Sequence, residues 1–175
     1  HQTKWFKYEE EPERGFGTEG ETRWKVLGPD PGSAVRLRGR IIGGCLDTLT
    51  NLVGTPFGDL PAFRRRYASD GLILYLENCE LIPPHMARNL WQLQMAGWFE
   101  GVAGLVFGRT SAPDADSKVL SYVEALEQTV GRLGIPVIYD ADIGHVPPQM
   151  TILNGALAEL TCEGGKGRLH LTLAT

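Results

Sequence analysis

Apolar residues in this chain gather in short unbroken runs, separated by stretches where they recur at wider spacing. Gly71–Leu76 (GLILYL) and Ala103–Phe107 are continuous apolar runs. Runs of this length without polar alternation predict strands buried on both faces, as in a parallel sheet. Val35–Ile42 predicts a further strand ended by Gly43-Gly44, which also allows close backbone approach, and Pro136–Tyr139 a short one running into Asp140. Between these runs the period changes. Leu46, Leu49, Thr50 and Val53 fall at helical spacing. Met86, Leu90, Leu93 and Gly97 recur at i, i+4, i+7 and i+11 behind Pro83-Pro84, a pair tolerated in a first helical turn. Val119, Val123, Leu126, Val130 and Leu133 predict another helix, with Asp116 or Ser117 as its cap and Gly134 as its stop. At the end, Leu157–Cys162 and Arg168–Leu173 flank Gly164-Gly165-Lys166-Gly167 and predict a hairpin, with Leu169, Leu171 and Leu173 on one face and His170 and Thr172 on the other. Strands alternating with helices predict an α/β domain over residues 33–175: a mostly parallel sheet flanked by helices, with a C-terminal β-hairpin.

Residues 1–32 lack either period. Five aromatics (Trp5, Phe6, Tyr8, Phe16, Trp24) alternate with acidic residues and glycines, before the turn signal Gly28-Pro29-Asp30-Pro31-Gly32. This segment predicts an ordered arm or long loop, because so many aromatics are costly to leave in water. The length of 175 residues suits one domain. A formal charge of −4 argues against a nucleic-acid partner, and the lone basic cluster, Arg64-Arg65-Arg66, reads as a solvated loop. Apolar runs are too short to span a bilayer, so no membrane partner is expected. Three dispersed cysteines (Cys45, Cys79, Cys162) without a CxxC suggest neither a disulfide framework nor structural zinc, which fits a reducing, cytoplasmic setting. A start at His1 rather than Met reads as a fragment, a processed product or an expressed piece of a longer protein.

Two residues stand where chemistry is done in α/β proteins. Glu77 directly follows GLILYL, at the carboxyl end of a buried strand, where open sheets place ligand crevices. His145 follows the strand ending at Asp140, between Gly144 and Pro147-Pro148, a setting that fixes one ring orientation. Taken alone, Glu77 reads equally as a solvated strand-end carboxylate and His145 as a loop histidine without a role. A metal site from Asp140, Asp142 and His145 (DxDxxH) is a further reading, weakened by the lack of a second His or Glu pair nearby. His85 reads as exposed at a helix start, and His170 lies on a polar strand face. Among Ser33, Ser69, Ser111, Ser117 and Ser121, none sits in a strand-to-helix elbow, and Ser111 is the least poor candidate nucleophile. Cys79 stands between Glu77 and Glu80, an acidic setting that disfavours a thiolate.

Five segments in order resemble one family. Gly39–Pro56 (GRIIGGCLDTLTNLVGTP) is similar to its G-x-x-x-G-G-N-L…L-x-G-T-P segment, and Leu72–Asn78 (LILYLEN) to its L-x-L-E-[DN] segment. Arg88–Gly97 resembles the following R-x-L-x-x-L-x-x-x-G helix, Ala103–Gly108 the I-x-G strand, and Asp142–Pro148 the G-H-x-x-P segment. The family is the LD-carboxypeptidases, two-domain serine peptidases that include the microcin C self-immunity peptidases. The resemblance implies the family's C-terminal α/β domain, with Glu77 and His145 as two members of a Ser-Glu-His triad. It places the serine in an N-terminal domain upstream of His1, so this chain alone is expected to be inactive. It also implies no cofactor and no metal. The long Trp-containing arm points to the self-immunity branch, in which an aromatic from that stretch stacks on a nucleobase. Trp24 matches by position and Trp5 is the alternative, while a Trp that docks the arm onto the core is the competing reading.

Two departures stand out. Cys45 replaces the family's usual Asn after Gly43-Gly44, and Thr151-Ile152-Leu153-Asn154-Gly155 lacks the proline of the T-x-P-I-G pattern. The implied site is therefore Glu77 and His145 for catalysis, with Trp24, Gly44 and Cys45 binding substrate. The implied reaction is hydrolysis of an amide, in an L-D murein peptide or a peptidyl-nucleotide. The implied partners are the chain's own N-terminal domain, that small substrate and a second copy in a homodimer. A module that keeps the fold without catalysis, serving binding or dimerisation, is the rival reading; a metal hydrolase is a more distant one.

Overall fold

A computed structural model describes residues 7, 9–14, 21–111 and 119–173. Seven strands form one sheet in the order β1-β5-β4-β3-β2-β6-β7. They are β1 (Lys25–Val26), β2 (Val35–Cys45), β3 (Leu72–Glu77), β4 (Gly104–Gly108), β5 (Val137–Ala141), β6 (Leu157–Glu163) and β7 (Lys166–Thr172). The helices are α1 (Leu46–Leu49), α2 (Leu60–Tyr67), α3 (Pro83–Met95) and α4 (Tyr122–Gln128). β2, β3, β4 and β5 pair in parallel, while β1 and the β6–β7 hairpin add antiparallel edges. The predicted α/β order holds, with a parallel centre and antiparallel flanks.

Alternation along the central strands sends side chains to two cores. Leu72, Leu74 and Leu76 of β3 face one side, where they meet Leu60 of α2, Met86, Leu90 and Leu93 of α3, and Leu126 of α4. Ile73 faces the other side with Ile41, Val106, Ile138, Leu160 and Trp24. Every helical residue in a buried cluster belongs to the first core, so the second face is closed by the curled hairpin edge and the arm rather than by a helix layer.

The structure corrects several boundaries. β2 does not end at Gly43-Gly44 but runs through to Cys45. Gly43 is there for close approach: a Cβ on it would overlap the backbone carbonyl of Tyr75 on β3. Arg64-Arg65-Arg66 lie on α2, not in a loop. Asp59 caps that helix by accepting from Ala62 N–H at 2.8 Å, and its thin apolar stripe (Leu60, Phe63, Tyr67) is interrupted by the arginines. The positions proposed as cap for the last helix, Asp116 and Ser117, lie outside the described residues. α4 instead starts at Tyr122 with Ser121 as cap. Ser121 Oγ accepts from Glu124 N–H at 3.2 Å and the Glu124 carboxylate accepts from Ser121 N–H at 2.7 Å, a reciprocal pair that fixes the start and leaves Val119 exposed. In β7, Leu169 and Leu171 are partly buried but Leu173 lies past the last ladder pair and is exposed.

The arm contributes to the sheet. Of its aromatics, only Trp24 falls among the described residues. Lys25–Val26 pair with Tyr139 and Ile138 as an edge strand, and Trp24 N–H donates to the Gly165 carbonyl in the hairpin turn at 3.0 Å. No described helix is long and apolar enough to cross a membrane.

Candidate active site

The four parallel strands deliver their carboxyl ends to one edge of the sheet, and the residues singled out from the sequence lie there. Cys45 closes β2 and Glu77 closes β3, and the two are register partners. Arg109 follows β4 directly, and Asp142 and His145 follow β5. β5 carries one extra residue relative to β4 between the pairs Val106–Ile138 and Gly108–Ala141, and within this bulge Asp140 adopts φ 58°. Asp tolerates the left-handed region, and a bulge turns a strand away from its ladder. The chain leaving β5 is thereby redirected into the loop that carries His145.

His145 Nδ1 lies 3.0 Å from Glu77 Oε2. An ionised carboxylate only accepts, so Nδ1 is the protonated nitrogen and Nε2 is the one left to exchange a proton. Glu77 is 5% exposed, whereas the His145 side chain is 56% exposed, so a buried carboxylate holds a ring that faces outward. The hydrogen bond to Glu77, and then its charge, raise the imidazole pKa above its ordinary 6.5. Gly144 makes the contact possible. Its φ is +99°, and a Cβ there would stand 2.7 Å from Glu77 Oε2.

Neighbouring groups brace the pair. Asp47, in α1, accepts from the backbone N–H of Cys79 at 3.1 Å and of Glu80 at 2.9 Å, tying down the chain just past Glu77. Burial pushes its carboxyl up, but these two donors, with Cys45, outweigh that and hold it below the usual range. On the other side Arg109, 8% exposed, donates to the carbonyls of Val146 at 2.9 Å, Pro147 at 3.1 Å and Pro148 at 2.7 Å. Its guanidinium also contacts Asp142 Oδ1 at 3.1 Å. Asp142 Oδ2 accepts in turn from Thr22 Oγ1 at 2.8 Å and from Trp24 Nε1 at 3.0 Å. The loop after His145 is thus held by a buried cation, which is itself linked to the arm.

Gly44, Cys45, Glu77, Gly144 and His145 line one open cavity of about 290 Å³, together with Tyr75 and Met150. Four of the five residues expected at the site therefore converge. Trp24 does not join them. It is 3% exposed, its ring packs where Gly167 has no side chain, and its indole N–H is spent on Asp142, which matches an arm-docking residue rather than a stacking surface. Trp5 lies outside the described residues. The DxDxxH reading is corrected too: Asp140 pairs with Lys25 at 2.8 Å and Asp142 is engaged by Arg109, Thr22 and Trp24, so neither carboxylate is directed to His145. Ser111 Oγ donates to the Cys79 carbonyl at 2.6 Å, and no serine lines the cavity among the described residues. Sequence reasoning missed Arg109 and Asp47. Arg109 carried the signal that marked Glu77, a charged residue directly after a fully apolar strand; Asp47 carried none.

Residues 38–160 match the model of the LD-carboxypeptidase C-terminal domain. A Streptomyces coelicolor protein assigned as a carboxypeptidase is 32% identical over 130 residues, covering 74% of this chain and 39% of the relative. The microcin C7 self-immunity protein of Escherichia coli is 29% identical over 118 residues, covering 67% of this chain and 32% of the relative. The crystal structure of a muramoyltetrapeptide carboxypeptidase from Oxalobacter formigenes superposes with a TM-score of 0.65 at 27% identity, covering 86% of this chain and 49% of the other. The chain thus spans less than half the length of each of these three proteins, and murein and microcin relatives stand at similar identity. With the match extending from β2 into β6 across the whole Cys45–Glu77–His145 edge, the chain belongs to the LD-carboxypeptidase family, as its C-terminal domain.

Proposed function

We propose that this chain supplies the general base and its orienting carboxylate to a serine carboxypeptidase whose nucleophile is carried by a preceding domain. The observation that carries the reading is the 3.0 Å contact between His145 Nδ1 and the buried Glu77 carboxylate, which leaves Nε2 facing an open cavity. In the complete protein, the serine hydroxyl attacks the amide carbonyl while Nε2 takes its proton. Glu77 holds the ring and stabilises the imidazolium, and the same nitrogen then returns the proton to the leaving amine. Water attacks the acyl-enzyme by the same route. The substrate class is a small peptide amide, either an L-D bond before a terminal D-Ala or a peptidyl-nucleotide; similarity to a murein peptide carboxypeptidase and to a microcin C7 self-immunity protein supports both. Three free cysteines fit a reducing, cytoplasmic setting.

The test is kinetic and uses the full-length protein. With a muramoyl tetrapeptide and a peptidyl-adenylate as substrates, His145→Ala should lower kcat by roughly 10³-fold or more. Near-normal turnover in that variant removes the assignment. Hydrolysis of neither substrate by the unaltered full-length protein favours a binding module with the same fold.

A further inference from the structure

Cys45 lines the cavity beside Glu77 and His145 but takes no part in the proposed proton transfer. Cys45 Sγ, a carboxylate oxygen of Glu77 and a ring nitrogen of His145 all lie within 4.8 Å of one another. The sheet register produces this arrangement: Cys45 and Glu77 are Cα partners at the ends of two adjacent parallel strands, and the His145 loop closes over them. We propose that Cys45, Glu77 and His145 form a binding site for a zinc-class divalent cation, whose occupation switches the catalytic pair off.

The donor set points to that class. A thiolate, an imidazole and a carboxylate suit zinc and its softer neighbours, and a thiolate is a poor ligand for magnesium or calcium. Three protein ligands facing an open cavity leave a fourth position for water, as tetrahedral zinc requires. Ideal ligand–ligand separations in such a site are about 3.4–3.6 Å. Since the three atoms lie within 4.8 Å of one another, reaching those separations takes a contraction of at most about 1.4 Å, estimated from those bond lengths. Cys45 and Glu77 are register partners on adjacent strands, so the movement falls mainly to the His145 side chain, which is 56% exposed. In the metal-free site the Cys45 thiol donates to Asp47 Oδ2 at 3.4 Å, a contact given up when the thiol is deprotonated. On binding, the thiol loses its proton to solvent and the sulfur–metal bond forms, with no change in oxidation state.

Binding and its consequence separate cleanly. Coordination through Nδ1 replaces the hydrogen bond to Glu77, and coordination through Nε2 consumes the base, so either mode stops proton transfer. This inhibitory consequence rests on the proposed function, whereas binding does not. The test therefore uses the 175-residue chain itself, reduced and stripped of metal. Zinc is titrated by calorimetry, and cobalt by its thiolate charge-transfer band in the near ultraviolet. The expected result is one equivalent bound with a sulfur band. Cys45→Ala should abolish the band and weaken zinc binding by roughly 100-fold, with Glu77→Gln weakening it as well. A double change at His85 and His170, both distant in the fold from the cavity, should leave binding intact. No stoichiometric binding, or binding undiminished in Cys45→Ala, overturns the metal site. If that happens while His145 still titrates above its ordinary value in dependence on Glu77, the metal site falls alone and the proposed function stands.

Discussion

A carboxylate that is almost fully buried is costly unless it is hydrogen-bonded, and Glu77 meets an outward-facing imidazole. Both residues were legible as strand-end groups. Their meeting was not, because 68 positions separate them and no local spacing encodes convergence across two strands and a loop. The family resemblance supplied what periodicity lacked. Cys45 shows the opposite balance: it was legible as a departure, but only coordinates place its sulfur against Glu77, where burial and then that carboxylate push the thiol up to about 12. Such a thiol is protonated at neutral pH, which argues against Cys45 as a free nucleophile. The narrowest steric requirement at this scale belongs to Gly144. Gly144→Ala places a methyl against the Glu77 side chain at φ +99°, and should destabilise the chain by about 1–3 kcal/mol. Chemical denaturation checks the stability, and the His145 resonance should move toward an ordinary titration as the contact opens.

Elements were legible in proportion to how strongly burial patterned them. β3 and β4 are apolar throughout and were read nearly to the residue, and α3 was found from Met86, Leu90 and Leu93. α2 was missed because three arginines interrupt a stripe of three apolar side chains, so its cap and tertiary contacts decide its helicity more than its period does. The glycines of β2 read as both a stop and a place for close backbone approach; the strand runs on to Cys45, and the close approach to Tyr75 is what Gly43 provides. The loop after β5 is organised by a side chain from another element. Arg109 gives three donors to three successive carbonyls, and removing a buried, charged donor of this kind leaves those carbonyls unsatisfied. Arg109→Met should cost about 3 kcal/mol. Hydrogen exchange should show faster opening of residues 144–150, while the amides of β3 keep their protection.

At the level of the molecule, the arm and the site are joined by a chain of polar contacts running from Thr22 and Trp24 through Asp142 and Arg109 to the carbonyls after His145. Two of the arm's residues complete the sheet edge, and the Trp24 indole fills the space above Gly167. Position alone left open whether a Trp in that stretch docks or stacks; in the fold Trp24 is 3% exposed and its indole N–H donates to Asp142. Trp24→Ala should lower stability by about 3–5 kcal/mol, measured by urea unfolding, and should loosen the His145 loop through Asp142. The pH dependence follows from the same pair. A histidine whose folded pKa is raised stabilises the fold fully below its unfolded value of 6.5, and that contribution is lost as pH rises through the folded pKa. The stability gap between the unaltered chain and His145→Gln should therefore be wider in slightly acidic solution than in alkaline solution. Under the proposed function, the acid limb of the full-length protein's rate profile should lie above 6.5, because the base acts only when neutral. The pairing itself is tested most directly by an NMR titration of the His145 ring in this chain, with and without Glu77→Gln. A midpoint above 6.5 that falls back in the variant is the result required here. An ordinary midpoint, unchanged when the carboxylate is removed, would mean that the two side chains do not meet and that the site does not exist as described.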